Sequence, residues 1–222
     1  MRMSLSWSYS SLSLYKQCPR KYHRLRIVKD IKEPSSQHLI YGNEVHKACE
    51  DYGKDGTPIP KKYAFAKPYV DKLLKAKGEK LFEYRMGLTE DLEPCKFFDK
   101  TVWWRGIADL VIVNGSKALL IDYKTGKSAK FADVHQLQLL SLALFAHFPE
   151  LTTIKGGLLF LVSKEFVSAT YTRDDVESGW DYWNKDVQRL SLSIDADVWN
   201  PAENFTCRNW CPVTDCEYNG NN

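Results

Sequence analysis

Of the five charged residues within one of the most apolar stretches of this chain, WWRGIADLVIVNGSKALLIDYK at 103–124, three have the types and spacing to do chemistry together. They are Asp109, Asp122 and Lys124. Burying a charge is expensive unless it is paired or holds a metal. Asp122 and Lys124 are two residues apart, so on a strand they point to one face, with Tyr123 on the other. Asp109, on the neighbouring strand, can reach the same cluster. Two carboxylates and an ammonium at one sheet edge suit a hard divalent cation and an activated water. The competing explanation of a lone D-x-K is a plain salt bridge at a strand end.

Two strands must position this cluster. The segments 103–113 and 117–124 are rich in Val, Ile and Leu and flank Asn114-Gly115-Ser116, a turn that favours an antiparallel hairpin. Upstream, 79–88 reads as a strand leading to the hairpin, with Glu83 as a further candidate metal or water ligand. Residues 38–53 and 63–77 read as helices, the latter kinked or starting late at Pro68. Downstream, 133–147 is the strongest helical pattern, with Asp133 as its expected cap and Leu137, Leu140 and Leu144 facing the sheet. Segments 154–162 and 166–172 read as strands, and 174–192 as an amphipathic helix. This order implies an α/β fold, a mixed β-sheet flanked by helices. The expected organisation is one domain over 1–222: N-terminal helices to 78, a sheet core at 79–173, a helix at 174–195 and a Cys-containing C-terminal tail at 196–222.

Other residues could do chemistry. His46 shares a helix face with Gly42, and as neutral imidazole it could ligate a metal, alone or with nearby Cys49; a packed or surface histidine is the alternative. A glycine inside that helix suggests close approach of something to its backbone, with a helix–helix contact as the alternative. Gln136 and Gln138 lie in the first turn of the helix after the hairpin, where a glutamine can reach a phosphate that the helix dipole also favours. Arg20, Lys21, His23, Arg24 and Arg26 form the densest basic run, either a solvated face or, beside Tyr15 and Tyr22, a place for phosphates and bases. Cys207, Cys211 and Cys216 crowd into ten positions of the tail, a metal signal for zinc or an iron–sulfur cluster that needs a fourth ligand. Cys18, in a similar polar and aromatic setting, is the candidate, and would staple the tail to the N-terminal helix. Free cysteines clustered by chance are the alternative.

The net charge of +3 does not by itself demand a nucleic-acid partner, so any such surface is a local patch. No secretory signal and no membrane span are expected, so the default setting is a reducing cytoplasm, where six cysteines are free or metal-binding rather than disulfide-bonded.

Taken in order, the motifs resemble the PD-(D/E)xK nuclease superfamily, and within it the RecB-like exonucleases with CRISPR-associated and phage members. SSLSLYKQCPRKYH is similar to the N-terminal Cys-Pro signature, GNEVH to G-x-x-x-H, RGIADLV to G-x-x-D, IDYKTG to D-x-K and HQLQLLSLAL to Q-x-x-x-Y. The resemblance implies a restriction-endonuclease-like fold. It also implies Mg²⁺ or Mn²⁺ on His46, Asp109 and Asp122, Lys124 orienting the attacking water, and Gln136 as the motif glutamine. The implied activity is metal-dependent hydrolysis of phosphodiester bonds in linear single- or double-stranded DNA, exonucleolytic rather than endonucleolytic. It would serve recombination, repair or DNA degradation in a bacterial or phage-infected cell, with recombination or replication proteins as possible partners and oligomeric state open. The motif tyrosine is Leu140 here, so the resemblance implies no tyrosine contact at that position. Relatives hold a [4Fe–4S] cluster on one N-terminal and three C-terminal cysteines; Cys18, Cys207, Cys211 and Cys216 match in number, but the C-x3-C-x4-C spacing departs from the usual C-x2-C-x5-C. Two other readings stand beside the nuclease: a non-catalytic DNA-binding or assembly subunit with a structural metal site, and a zinc-stapled interaction domain.

Overall fold

The computed structural model describes residues 6–33 and 36–220. The first residues of the opening segment, for which no secretory signal is expected, lie outside the described residues. Two compact units divide the chain: Met1–Ser35 with Trp180–Asn222, and Ser36–Gly179.

The Ser36–Gly179 unit is built on six strands: β1 (Glu79–Leu88), β2 (Pro94–Cys95), β3 (Trp104–Asn114), β4 (Lys117–Lys124), β5 (Thr153–Phe160) and β6 (Glu165–Thr172). Their order is β2-β1-β3-β4-β5-β6. Only β4 and β5 run parallel; the other pairs are antiparallel, which makes the sheet mixed. Gly115 turns β3 into β4 at φ +59, a left-handed conformation that glycine adopts without steric cost. The helix between β4 and β5 is the crossover that a parallel pair requires.

Helices α3 (Gln37–Asp55) and α4 (Lys67–Leu74) lie on one side of this sheet. There Val45, Cys49, Tyr63, Ala66 and Val70 form a buried cluster with Leu110 and Ile112 of β3 and with Ile121 and Tyr123 of β4. Pro68 falls in the first turn of α4, after a 3₁₀ stretch over Lys61–Ala66, so the helix starts late rather than kinking. Helix α5 (His135–His147) packs on the other side through fully buried Leu137, Leu139 and Leu144 and through Leu140, which is 3% exposed. Its N-cap is Val134, not Asp133. Asp133 stands one residue earlier, where its carboxylate accepts the His135 backbone N–H at 2.9 Å. Arg173 secures the far end of α5, donating to the carbonyls of Phe145, Phe148 and Leu151 at 3.2, 3.0 and 2.8 Å.

One irregularity shapes the sheet. A side chain on Gly53 of α3 would overlap the Phe82 ring, whereas Tyr84 Oη meets His147 Nδ1 of α5 at 3.3 Å. Residues two apart on a regular strand share a face; here β1 changes face between them, at Glu83, whose φ is +48. In register, Phe82 pairs with Leu110 and Tyr84 with Ala108, so Asp109 sits at the same break in β3. The β3–β4 ladder also ends there, its last pair being Leu110 and Ile121.

The other unit contains α1 (Tyr9–Gln17), α2 (Pro19–Tyr22), a wide π-helical turn His23–Val28, and the irregular tail. Helix α6 (Val176–Ala196) crosses the boundary between the units. Ser8 caps α1 in a capping box, and Pro19 opens α2. Tyr15 Oη lies 3.0 Å from the Arg189 carbonyl and 2.8 Å from Ser193 Oγ of α6. The His23 ring stacks on Trp199 at 4.8 Å. No helix among the described residues is long and apolar enough to cross a membrane.

Candidate active site and cysteine pocket

The carboxyl end of β4 carries Asp122 and Lys124 toward the first turn of α5, while Tyr123 turns away into the cluster under α3. This is the alternation that the D-x-K spacing predicts. Lys124 Nζ donates to Gln136 Oε1 at 3.0 Å, and Gln136 Nε2 donates to Asp122 Oδ1 at 2.8 Å. Lys124 Nζ also lies 2.6 Å from Asp122 Oδ2. This close ion pair is the partner of the buried Oδ2. Gln136 therefore ties the acid to the lysine, and does not stand free for a phosphate. Gln138, the other first-turn glutamine, has its Oε1 buried without a hydrogen-bond partner.

Asp109 sits where β3 leaves β4. Its Oδ2 accepts the Tyr123 backbone N–H at 2.6 Å, and its Oδ1 lies 3.2 Å from His46 Nδ1. The carboxylate thus takes over a backbone donor that the ended ladder would otherwise leave unpaired. His46 reaches it from α3, one turn after Gly42. A Cβ on Gly42 would stand 3.5 Å from Thr125 Oγ1, an ordinary contact, so nothing in this conformation crowds that backbone. Cys49 does not join His46 as a ligand pair: it is fully buried in the apolar cluster, and burial pushes its thiol up to about 12.

The electrostatics show a surplus of acid. Burial and the neighbouring Asp109 charge raise the Asp122 pKa, against the opposing pull of Lys124 and His46. Burial also raises Glu83, with Asp109 and Glu50 adding to the effect, which places Glu83 beside the same group of charges. For His46, burial disfavours the imidazolium, but the hydrogen bond and charge of Asp109 with the charge of Asp122 outweigh it and raise the pKa. As they stand, the acids are engaged by His46, the Tyr123 amide, Lys124 and Gln136. Among the described residues, no three His, Cys, Asp or Glu side chains already converge as a metal cage. The donor types still fit a divalent cation: two carboxylates that repel each other, one of them buried, and an imidazole beside them.

In the other unit, Cys18, Cys207, Cys211 and Cys216 line one pocket together with Arg20, Lys21 and Asn204. Cys18 Sγ accepts the Lys21 and Ala202 backbone N–H groups, both at 3.5 Å, and Cys207 Sγ accepts that of Asn204 at 3.4 Å. Arg20 Nη1 lies 3.9 Å from Cys216 Sγ. The Ala202 contact and the bond from Asn204 Nδ2 to the Gln17 carbonyl join the tail to α1 and α2, where the staple is expected. Most of the basic run is spent here on acids. Arg24 pairs with Asp30 and Asp215, Arg20 with Glu217, and Lys21 stands 3.8 Å from Glu33. The Arg24 pairs raise its pKa further.

A family model of the PD-(D/E)XK nuclease superfamily matches residues 6–216, nearly the whole chain. This chain belongs to the PD-(D/E)XK nuclease superfamily. Two solved structures share its fold. The crystal structure of SSO0001 aligns at a TM-score of 0.50 and 13% identity, over 99% of this chain and 89% of that one. A protein from Eubacterium rectale, provisionally named an exonuclease, aligns at 0.51 and 10% identity, over 95% and 85%. No curated protein matches. The six-stranded mixed sheet with flanking helices is the restriction-endonuclease-like arrangement of this superfamily.

Proposed function

We propose that this protein is a metal-dependent DNA exonuclease with its active centre at Asp109, Asp122, Lys124, Gln136 and His46. One observation carries the reading: Lys124 is held between Asp122 and Gln136 at the end of β4, beside the Asp109–His46 pair. A salt bridge kept only for stability would not need a glutamine bonded to both partners or a second carboxylate in a bend of the adjacent strand. A Mg²⁺ or Mn²⁺ ion held by Asp109, Asp122 and His46 would supply positive charge for the scissile phosphate and make water more acidic.

The chain's own groups do the rest. The Lys124 ammonium places its charge where a phosphate accumulates negative charge during hydrolysis, and orients the attacking water. Gln136 fixes that ammonium through Oε1 and keeps the Asp122 carboxylate turned toward it through Nε2. The Tyr123 amide holds the Asp109 carboxylate in place. Attack on linear ends rather than internal bonds is supported by the resemblance to RecB-like exonucleases. For the cysteine pocket the reading is a [4Fe–4S] cluster on Cys18, Cys207, Cys211 and Cys216, with structural Zn²⁺ as the competitor; backbone donors to sulfur support thiolate ligands of either kind. Iron and acid-labile sulfide in anaerobically purified protein support the cluster, and zinc alone refutes it.

The test of the activity is cleavage of end-labelled linear DNA in Mg²⁺, in Mn²⁺ and in EDTA, by wild-type protein and Asp122→Asn. Metal-dependent release of nucleotides by wild type, lost in the variant, is the expected result. Unchanged cleavage in EDTA, or by the variant, refutes the mechanism.

A further inference from the structure

The loop 125–134 joins the two halves of the candidate centre, since Lys124 precedes it and Gln136 follows it within the first turn of α5. Its ends are fixed by the Lys124–Gln136 bond at 3.0 Å. Its middle is pinned by the Ala129 backbone N–H, which donates to the Glu165 carboxylate at 3.0 Å. This held loop presents an apolar ring to water: Phe131 is 89% exposed, more than any other large apolar side chain among the described residues. Lys130 Nζ stands 5.5 Å from the ring centroid, and Lys127 is exposed on the same loop. A phenyl ring that has found no place in a core, with one ammonium beside it, a second on the same loop, and the candidate centre at both ends of the loop, has the composition of a single-strand contact. Bases stack on such rings whatever their sequence, and flanking phosphates take the cations.

We propose that Phe131 is a stacking platform for the terminal base of a single-stranded DNA end, with Lys127 and Lys130 holding the phosphates on either side. The proposal rests on the nuclease reading and deepens it, because it makes an unpaired end the preferred substrate. The charge of the two lysines and the continuity of the loop with Lys124 and Gln136 favour nucleic acid over a protein partner at this surface.

The experiment is a titration of the full chain with phosphorothioate-linked oligonucleotides. One single strand carries 2-aminopurine at its 5′ end, another carries it at its 3′ end, and a blunt duplex serves as comparison. Wild type should quench one of the end probes. Phe131→Ala should lose that quenching and bind the single strand about 5- to 150-fold more weakly, the range set by removing one stacked base, while duplex affinity changes less than about twofold on the same argument. Phe131→Trp should keep both signals. Lys127→Ala with Lys130→Ala should flatten the salt dependence by about 0.7 for each single-strand phosphate that is no longer neutralised. If Phe131→Ala binds and quenches as wild type does, the platform is refuted and the surface falls to a protein contact, with the nuclease reading intact. If wild type neither binds nor cleaves either form, both fail together.

Discussion

Gln136 gives the sharpest internal check, because its amide makes two bonds with different consequences. Its Oε1 accepts from Lys124 at 3.0 Å, and its Nε2 donates to Asp122 at 2.8 Å. A hydrogen bond to a charged group contributes about 1.5–3 kcal/mol. At 1.36 kcal/mol per tenfold in rate, freeing Lys124 lowers the cleavage rate about 10- to 150-fold. The bond to Asp122 is partly buried, and leaving that oxygen short of a donor costs about 1–3 kcal/mol of stability. For a chain of this size that is a fall in Tm of about 2–12 °C, which leaves the protein folded at 25 °C. The assay is single-turnover, rapid-quench cleavage of an end-labelled strand at 25 °C, with Gln136→Ala and Gln136→Met beside wild type and thermal melts of all three. Met keeps the volume and loses both bonds, so both variants should slow alike. If Gln136→Met cleaves at the wild-type rate, Gln136 only fills space and the positioning argument is wrong.

Arg173→Ala removes three bonds to the carbonyls of Phe145, Phe148 and Leu151, so it should lower stability by about 2–3 kcal/mol, on the scale of partly buried hydrogen-bond losses; circular dichroism melts check this, and an unchanged Tm refutes it. Saturating Mn²⁺ at about 100 times its Kd should stabilise the wild-type chain by about 2.7 kcal/mol and raise Tm by about 5–10 °C. Asp109→Asn should lose most of that shift, and an equal shift in the variant places the ion elsewhere. Cys18→Ala should lower the iron content of anaerobically purified protein and loosen the tail, seen as faster proteolysis within 196–222; full iron occupancy in this variant removes Cys18 from the ligand set.

Much of this arrangement is legible in the sequence, because short-range rules govern it. The two-residue spacing of Asp122 and Lys124 dictates a shared strand face, and Asn114-Gly115 dictates the turn that sets β3 against β4. The buried face of α5 follows from its leucines. What the sequence does not display depends on long-range geometry. Gln136 reads as a phosphate contact because a helix N-terminus suggests one; that it faces Asp122 and Lys124 depends on how the crossover from β4 returns. Asp133 has the right chemistry for a cap, but the helix begins after Val134. The change of face at Glu83 leaves no periodic signature, since a left-handed non-glycine residue inside a strand comes from the packing of its neighbours. The basic run looks freer in sequence than it is because two of its acidic partners, Asp215 and Glu217, lie about 190 residues away.

The decisive comparison for the catalytic assignment is wild type against Lys124→Ala on linear and closed-circular DNA, single- and double-stranded, in Mg²⁺ or Mn²⁺. Lys124 is one-third exposed and packs in no apolar cluster, so its replacement removes the ion pair to Asp122 without opening a cavity. Wild type should degrade linear DNA and spare circles, and Lys124→Ala should stay folded and cut neither. Cleavage by Lys124→Ala at the wild-type rate, or no cleavage of any substrate by folded wild type supplied with metal, contradicts the assignment.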